Sequence, residues 1–298
     1  MRALITGIAG AAGSYLFEYL TEHGNEVDGI ARPQCDLLEV EKVIAKLNHC
    51  KPDVVYHLAA DADVRASFDQ PAEVFRNNTE STINLFEALR TLKQHPTVVL
   101  CSSSEVYGQP NHYPIGEEWP YFPSNPYACS KASQDMLGRM YAKCYGFRVV
   151  ITRAFGYINP RRKDLSLSSF ARQIVEIEQG TRQELLHGNL DSVRTFCDVR
   201  DIVKAYSLCP TLPTGTYNIG SEEGISVGQC LEALKDMAYV PIPSRLDPQL
   251  ARPTDVTNQI PDCWKFKQAT GWTPAYTLHE SLEWLLDHFR SNRIRVAA

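Results

Sequence analysis

The sequence predicts a doubly wound α/β fold, a parallel sheet with helices on both faces, followed by a smaller C-terminal domain. Three observations carry that expectation. Short runs that are apolar throughout alternate with amphipathic helical patterns across the first half of the chain. The first of these runs ends in a glycine-rich turn that opens a helix. A Ser-rich strand end is followed, one helix later, by Tyr-x-x-x-Lys. Strands without polar alternation are buried on both faces, and that is the Rossmann pattern.

The elements follow in order. Residues 3–6 (Ala-Leu-Ile-Thr) read as a buried strand and residues 14–23 as a helix. Residues 27–31 form a second strand. Residues 38–48 place Val40, Val43, Ile44 and Leu47 on one helical face. A strand at 53–58 precedes a helix at 81–93 that groups Ile83, Phe86, Leu89 and Leu92. A strand at 98–101, a helix at 126–145 and a strand at 148–151 complete the alternation. After Phe155 it weakens into long loops, with helices at 167–179, 227–238 and 278–290. The division expected is 1–155 plus about 191–220 for the sheet domain, and 156–190 plus 221–298 for a second domain.

Composition limits the function. The chain has 298 residues, 44% hydrophobic and 22% charged, which excludes disorder, collagen and coiled coil as the main architecture. Lys+Arg total 30 against Asp+Glu 35, so no basic field exists for nucleic acid or an anionic membrane. No apolar run approaches the roughly 18–20 residues that span a bilayer. No signal peptide is expected, since the glycine turn follows closely on Met1. Nine cysteines, an odd count without Cys-x-x-Cys, point to free thiols in a reducing cytoplasm. No metal site is expected, since the eight His lack ligand spacing.

The glycine turn reads Thr6-Gly7-Ile8-Ala9-Gly10-Ala11-Ala12-Gly13. Its glycines let the backbone turn tightly and approach a pyrophosphate, while the helix N-terminus offers N–H groups and a positive dipole end. The bland alternative is an ordinary strand-to-helix turn. Strand two ends at Ala31-Arg32, where a free ribose 2′-hydroxyl usually meets Asp or Glu. A guanidinium there suits a 2′-phosphate, so NADP is favoured, with NAD possible. A solvated surface Arg is the alternative. Asp36-Leu37 follows almost at once and leaves little room for another strand; Asp36 is placed to accept a hydrogen bond from the adenine amino group.

The second constellation runs from Ser102-Ser103-Ser104-Glu105 to Tyr127-x-x-x-Lys131. Pro126 favours a helix start, so Tyr127 and Lys131 lie one turn apart on one face. Reducing a ketone by hydride transfer needs a proton donor for the developing alkoxide. A Tyr near its ordinary pKa is a poor donor at neutral pH, and a neighbouring ammonium lowers it. Lys131 is expected to do this and to hold the nicotinamide ribose. Ser103 is expected to hydrogen-bond the carbonyl oxygen. The alternative is that Tyr127 and Lys131 only decorate a helix.

On these residues, with His57-Leu58-Ala59-Ala60 and Asn78, the chain resembles the extended short-chain dehydrogenase/reductases over nearly its whole length. The resemblance implies a catalytic Ser103–Tyr127–Lys131 set. It implies cofactor contacts at Thr6, Gly7, Gly10, Ala11, Ala12, Gly13, Arg32, Asp36, Leu37, Leu58, Ala59, Ala60 and Asn78, besides Tyr127 and Lys131. It also implies a sugar nucleotide in the C-terminal domain. Ser168 to Ile174, Gly188 to Tyr206 and Leu250 to Val256 look most like the branch that reduces GDP-4-keto-6-deoxy-D-mannose. That likeness puts the diphosphate near Arg194 and Arg252, the base near Asn189, and substrate contact at Ser104. Phe155-Gly156-Tyr157 departs from the Phe-Asn-His usual in relatives, and Arg161-Arg162 is similar to the GDP-mannose 4,6-dehydratases.

Rivals remain at this point. A dehydratase would use the same Tyr and Lys with Glu105 as acid/base. A nucleotide-sugar 4-epimerase would use the same residues with NAD, against which Arg32 counts. A non-catalytic NADP-binding sensor would typically lack the Tyr or Lys. The helices at 81–93 and 126–145 are expected to form a homodimer's four-helix bundle, with Met136, Met140, Tyr141 and Cys144 as candidates for its face.

Overall fold

The computed structural model describes residues 1–162, 165–250 and 256–294. In chain order the first half comprises β1 (Arg2–Thr6), α1 (Ala11–Glu22), β2 (Glu26–Ile30), α2 (Val40–Cys50), β3 (Val54–His57), α3 (Ala66–Asp69), α4 (Pro71–Thr91), β4 (Thr97–Cys101), α5 (Pro126–Tyr145) and β5 (Val149–Ala154). The second half comprises β6 (Tyr157–Ile158), α6 (Ser166–Glu178), β7 (Leu185–His187), β8 (Val193–Arg194), β9 (Cys197–Asp198), α7 (Val199–Leu208) and β10 (Gly215–Ile219). It ends with β11 (Ile225–Ser226), α8 (Val227–Asp236), β12 (Ser244–Leu246), α9 (Trp264–Thr270) and α10 (Leu278–Ile294).

Six strands form one sheet in the order β2-β1-β3-β4-β5-β10, and every pairing is parallel. The strands alternate faces as the pleat requires. Leu4, Val55, Val98, Leu100 and Ile151 pack with Leu47, Phe86, Leu89 and Tyr141 of α2, α4 and α5. Ile5, Tyr56, Val99 and Val150 pack with Leu16, Leu20, Ile202 and Tyr206 of α1 and α7. A third core, with Phe170, Ile174, Leu231, Leu234, Leu282 and Leu285, holds α6, α8 and α10 together. The chain leaves β1 toward β2 on one side and returns to β3 on the other. The crevice beyond the ends of β1 and β3 is therefore the topological switch point, where ligands of such sheets bind.

Two elements differ from the sequence expectation. α4 starts at Pro71, not at residue 81, with Pro at its first turn. The polar run Asn77-Asn78-Thr79-Glu80-Ser81 hides this start, because Asn78, Ser81 and Thr82 are buried and find side-chain and backbone partners. The sixth strand, β10, reads Gly-Thr-Tyr-Asn-Ile and lacks an apolar run. Its buried Asn218 is satisfied by the Tyr107 hydroxyl, which donates at 2.7 Å, and by donating to the Ile115 carbonyl at 2.8 Å. Residues 31–39 hold no strand, so β2 is the edge of the sheet.

Candidate active site

The turn after β1 is built for close approach. Gly7 has φ +72°, and a Cβ there would sit 3.0 Å from the Ala59 backbone. A Cβ on Gly13 would fall 2.1 Å from the Gly7 carbonyl oxygen. Gly10 is the N-cap of α1 and supplies no side-chain cap to its first turn. Ala11 and Ala12 open that turn. A cradle emptied of side chains, facing an uncapped helix start, fits a dinucleotide pyrophosphate.

Beneath the cradle lies a buried polar chain. Thr6 Oγ1 accepts from the Ala59 N–H at 3.2 Å, and Thr6 and His57 Nδ1 are 2.8 Å apart. His57 Nε2 lies 2.9 Å from Thr82 Oγ1. That hydroxyl donates to the Asn78 carbonyl at 2.9 Å and accepts from Gln134 Nε2 at 2.6 Å. With its single proton spent on Asn78, Thr82 accepts from His57 Nε2–H. Nδ1 is then the acceptor from Thr6. The ring is neutral: complete burial, and secondarily the charge of Lys131, push His57 down to about 3.

At the adenosine end, Arg32 is exposed, with Nη2 3.6 Å from Asp61 Oδ1. Asp36 Oδ1 accepts from the Leu38 N–H at 3.0 Å, and the Leu37 carbonyl accepts from Asn84 at 2.9 Å. Leu58, Ala59 and Ala60 continue from β3 along the crevice. Asn78 corrects the sequence reading. It lies inside α4, wholly buried, and its amide is consumed by the protein. It accepts from the Asp61 N–H at 2.7 Å and donates to the Asp61 carbonyl at 3.1 Å and to Ser130 Oγ at 2.8 Å. It fixes the loop after β3 instead of presenting its side chain to the crevice.

Ser103, Tyr127 and Lys131 converge at the end of β4. Asn125 caps α5 by accepting from the Ala128 N–H at 2.7 Å, and Pro126 follows, which sets Tyr127 in the first turn. All three side chains are nearly buried. Burial pushes Tyr127 up to about 12; the Arg162 guanidinium and the Ser103 hydroxyl pull against it. Lys131 lies one helical turn further along α5. The Lys131 ammonium donates to the Cys101 carbonyl at 2.5 Å, and burial lowers it to about 8. Arg162 is a cation acting on the phenol, and it also donates to the Ala62 carbonyl. Its sequence signal was the Arg-Arg pair. The other member, Arg161, ties the loop to α1 through Ser14 at 2.9 Å and Glu18 at 2.8 Å.

Glu105 stands beside this group. Its N–H donates to Ser103 Oγ at 3.2 Å and its carboxylate accepts from Asn125 at 3.0 Å. Ser104, expected at the substrate, is buried and donates to Gln259 Oε1 at 3.1 Å; it ties the site to the C-terminal segment. Asn189 is exposed, with Oδ1 accepting from the Asp191 N–H at 2.9 Å. Arg194 is half-buried on β8 and donates to the Val193 carbonyl at 3.1 Å. Arg252 lies outside the described residues. The Gly156 departure has a steric cause. A Cβ there would meet the Thr195 carbonyl oxygen at 2.4 Å, so no Asn fits this β6–β9 approach. Tyr157 follows and faces Tyr127 closely enough to raise its pKa.

Residues 33–284 match the family model described as GDP-mannose 4,6 dehydratase. The chain belongs to that family. It is a branch of the extended short-chain dehydrogenase/reductases, as the sequence motifs imply. GDP-6-deoxy-D-mannose reductase of Pseudomonas aeruginosa is 33% identical, over 99% of this chain and 98% of that protein. A GDP-mannose 4,6-dehydratase of Vibrio cholerae is 28% identical, over 94% of this chain and 91% of the relative. Among solved structures, RMD from Pseudomonas aeruginosa complexed with NADPH superposes with TM-score 0.90 at 31% identity, covering 98% and 99% of the two chains. A UDP-glucose 4-epimerase of Thermus thermophilus in complex with NAD gives TM-score 0.87 at 28% identity, covering 97% and 99%.

Proposed function

We propose that this family member is an NADPH-dependent reductase of a nucleotide-bound 4-keto-6-deoxy sugar, GDP-4-keto-6-deoxy-D-mannose or a close analogue, yielding the 6-deoxy sugar nucleotide. The observation that carries the reading is the buried Ser103–Tyr127–Lys131 cluster at the switch-point crevice, beside the glycine cradle. NADPH, held by the glycine cradle and Arg32, would supply the hydride for the sugar C4. Ser103 orients the carbonyl oxygen, and the Tyr127 O–H gives its proton to the developing alkoxide. Arg162 favours the phenolate left behind, and Lys131 is one helical turn away to hold the ribose. Arg32 suits the 2′-phosphate. Arg194 and Arg252 are assigned to the diphosphate and Asn189 to the base.

Dehydration is the second reading, favoured by Glu105 beside Ser103. Its carboxylate is already engaged by Asn125, and the short link after β2 carries no insertion. Two incubations separate the readings. The 4-keto sugar nucleotide should consume NADPH absorbance, and GDP-mannose alone should remain unchanged. Turnover only of GDP-mannose would reverse the assignment; no turnover of any keto-sugar nucleotide, with tight NADPH binding, would make the protein a sensor.

The same reading assigns the sheet with α7 to dinucleotide binding and the α6–α8–α10 core to the sugar nucleotide. We also assign a cytoplasmic homodimer; no helix among the described residues is long and apolar enough to cross a membrane. Its bundle face would use Ile83 of α4 and Met136 and Cys144 of α5, which are exposed. Tyr141 is not available, since it stacks on Phe86 in the core at 4.3 Å between ring centroids. Met140 packs against the same core. Sedimentation should give a dimer that Met136→Glu weakens, and a monomeric wild type would remove it.

A further inference from the structure

Arg32 and Asp61 meet across the mouth of the crevice. Arg32 follows β2, Asp61 follows β3, and β1 with its glycine turn lies between them in the sheet. Their side chains approach to 3.6 Å. The two partners are held very differently. The Asp61 backbone is pinned on both its N–H and its carbonyl by the buried Asn78, at 2.7 and 3.1 Å. The Arg32 side chain is 65% exposed, and among the described residues its ion pair is with Asp61. Asp61 sits in an unfavourable place for a carboxylate. Burial raises its pKa first, Glu73 and Asp36 add to that, and Arg32 opposes it.

Resting on the reading that Arg32 takes a 2′-phosphate, we propose that Asp61 weakens the preference of this enzyme for the 2′-phosphorylated dinucleotide. It competes with the phosphate for Arg32 and offers an acceptor to a ribose 2′-hydroxyl. A 2′-phosphate carries about −1.5 to −2 charges. To engage Arg32 it must draw the guanidinium off Asp61 and leave that carboxylate without its cation beside a dianion. A 2′-hydroxyl faces no such opposition and donates to the carboxylate, as it does to the acidic residue of NAD sites. The crevice thus carries both devices, one cation and one anion in contact. Asp61 narrows the discrimination that Arg32 alone would give.

Calorimetry with two fragments tests this without turnover: adenosine 2′,5′-bisphosphate and adenosine 5′-monophosphate. Asp61→Asn should tighten the bisphosphate about fivefold, the size of an exposed charge pair, and should not tighten the monophosphate. Arg32→Gln should weaken the bisphosphate and leave the monophosphate alone. In the Arg32→Gln background, Asp61→Asn should no longer tighten the bisphosphate. Monophosphate binding by each variant shows that the adenosine site is folded. If Arg32→Gln weakens the bisphosphate but Asp61→Asn leaves the ratio of affinities unchanged, Asp61 has no part and the Arg32 reading stands. If Arg32→Gln leaves bisphosphate binding intact, the Arg32 reading fails and the inference falls with it.

Discussion

Burial raises Tyr127 to about 12, so at neutral pH the phenol carries the proton that reduction requires, and Arg162 opposes that rise by favouring the phenolate left behind. Tyr127→Phe keeps the ring in its buried slot and deletes only the proton. Turnover should fall by about 10²–10⁴-fold while fluorescence titration still shows NADPH binding; unchanged turnover would free Tyr127 of its role. The pH profile belongs to Lys131 instead. Its ammonium, lowered to about 8, is lost as pH rises through that value. The kcat/KM for reduction should therefore fall on the alkaline side near pH 8 with a single ionisation. A profile flat to pH 10 would show that the Lys131 charge is not needed.

At the scale of elements, the cofactor cradle and the catalytic helix share one buried polar chain from Thr6 through His57 and Thr82 to Asn78 and Ser130. The chain requires a neutral imidazole. His57 is depressed to about 3 from an ordinary 6.5, so the unfolded state binds the extra proton between those values. Its contribution is complete above pH 6.5 and is lost as pH falls toward 3, by about 1.4 kcal/mol per unit once protonation of the unfolded form dominates. Urea unfolding between pH 7 and 4.5 should show this slope in the wild type and a shallower one in His57→Gln. Equal slopes would place the acid lability elsewhere. The His57-Leu58-Ala59-Ala60 motif was visible in the sequence. The network was not, because its members are far apart in the chain: the Thr6–His57 link joins residues 51 positions apart.

Across the whole molecule, the switch-point crevice brings loops of the sheet together with the segment after β5. Tyr127 on α5 is met by Arg162 and Tyr157 from beyond β5, and Ser104 is held by Gln259 from the C-terminal segment. The reading as a ketoreductase belongs to this scale, since no single element holds the proton donor, its cation and the dinucleotide cradle. The choice of reaction likewise rests on the assembled site: the same cluster with a released Glu105 would suit dehydration. That is why the paired incubations, and not a motif, decide it.

The fold was legible in the chain alone. Short apolar runs separated by amphipathic helices read as strands covered on both faces, though β10 escaped that pattern, and a glycine turn between strand and helix marks the dinucleotide end. Ser103, Tyr127 and Lys131 were legible for a similar reason: local helix geometry sets the Tyr–Lys spacing, and the Ser ends a recognisable strand. Charges across loops were not. Which cation faces Tyr127, why Gly156 replaces Asn, and that Arg32 is met by Asp61 all depend on distances between residues remote in sequence. Those distances are set by how β5, β6, β9 and the loop after β3 pack. Periodicity reports what each segment buries, and only packing decides which side chains then meet.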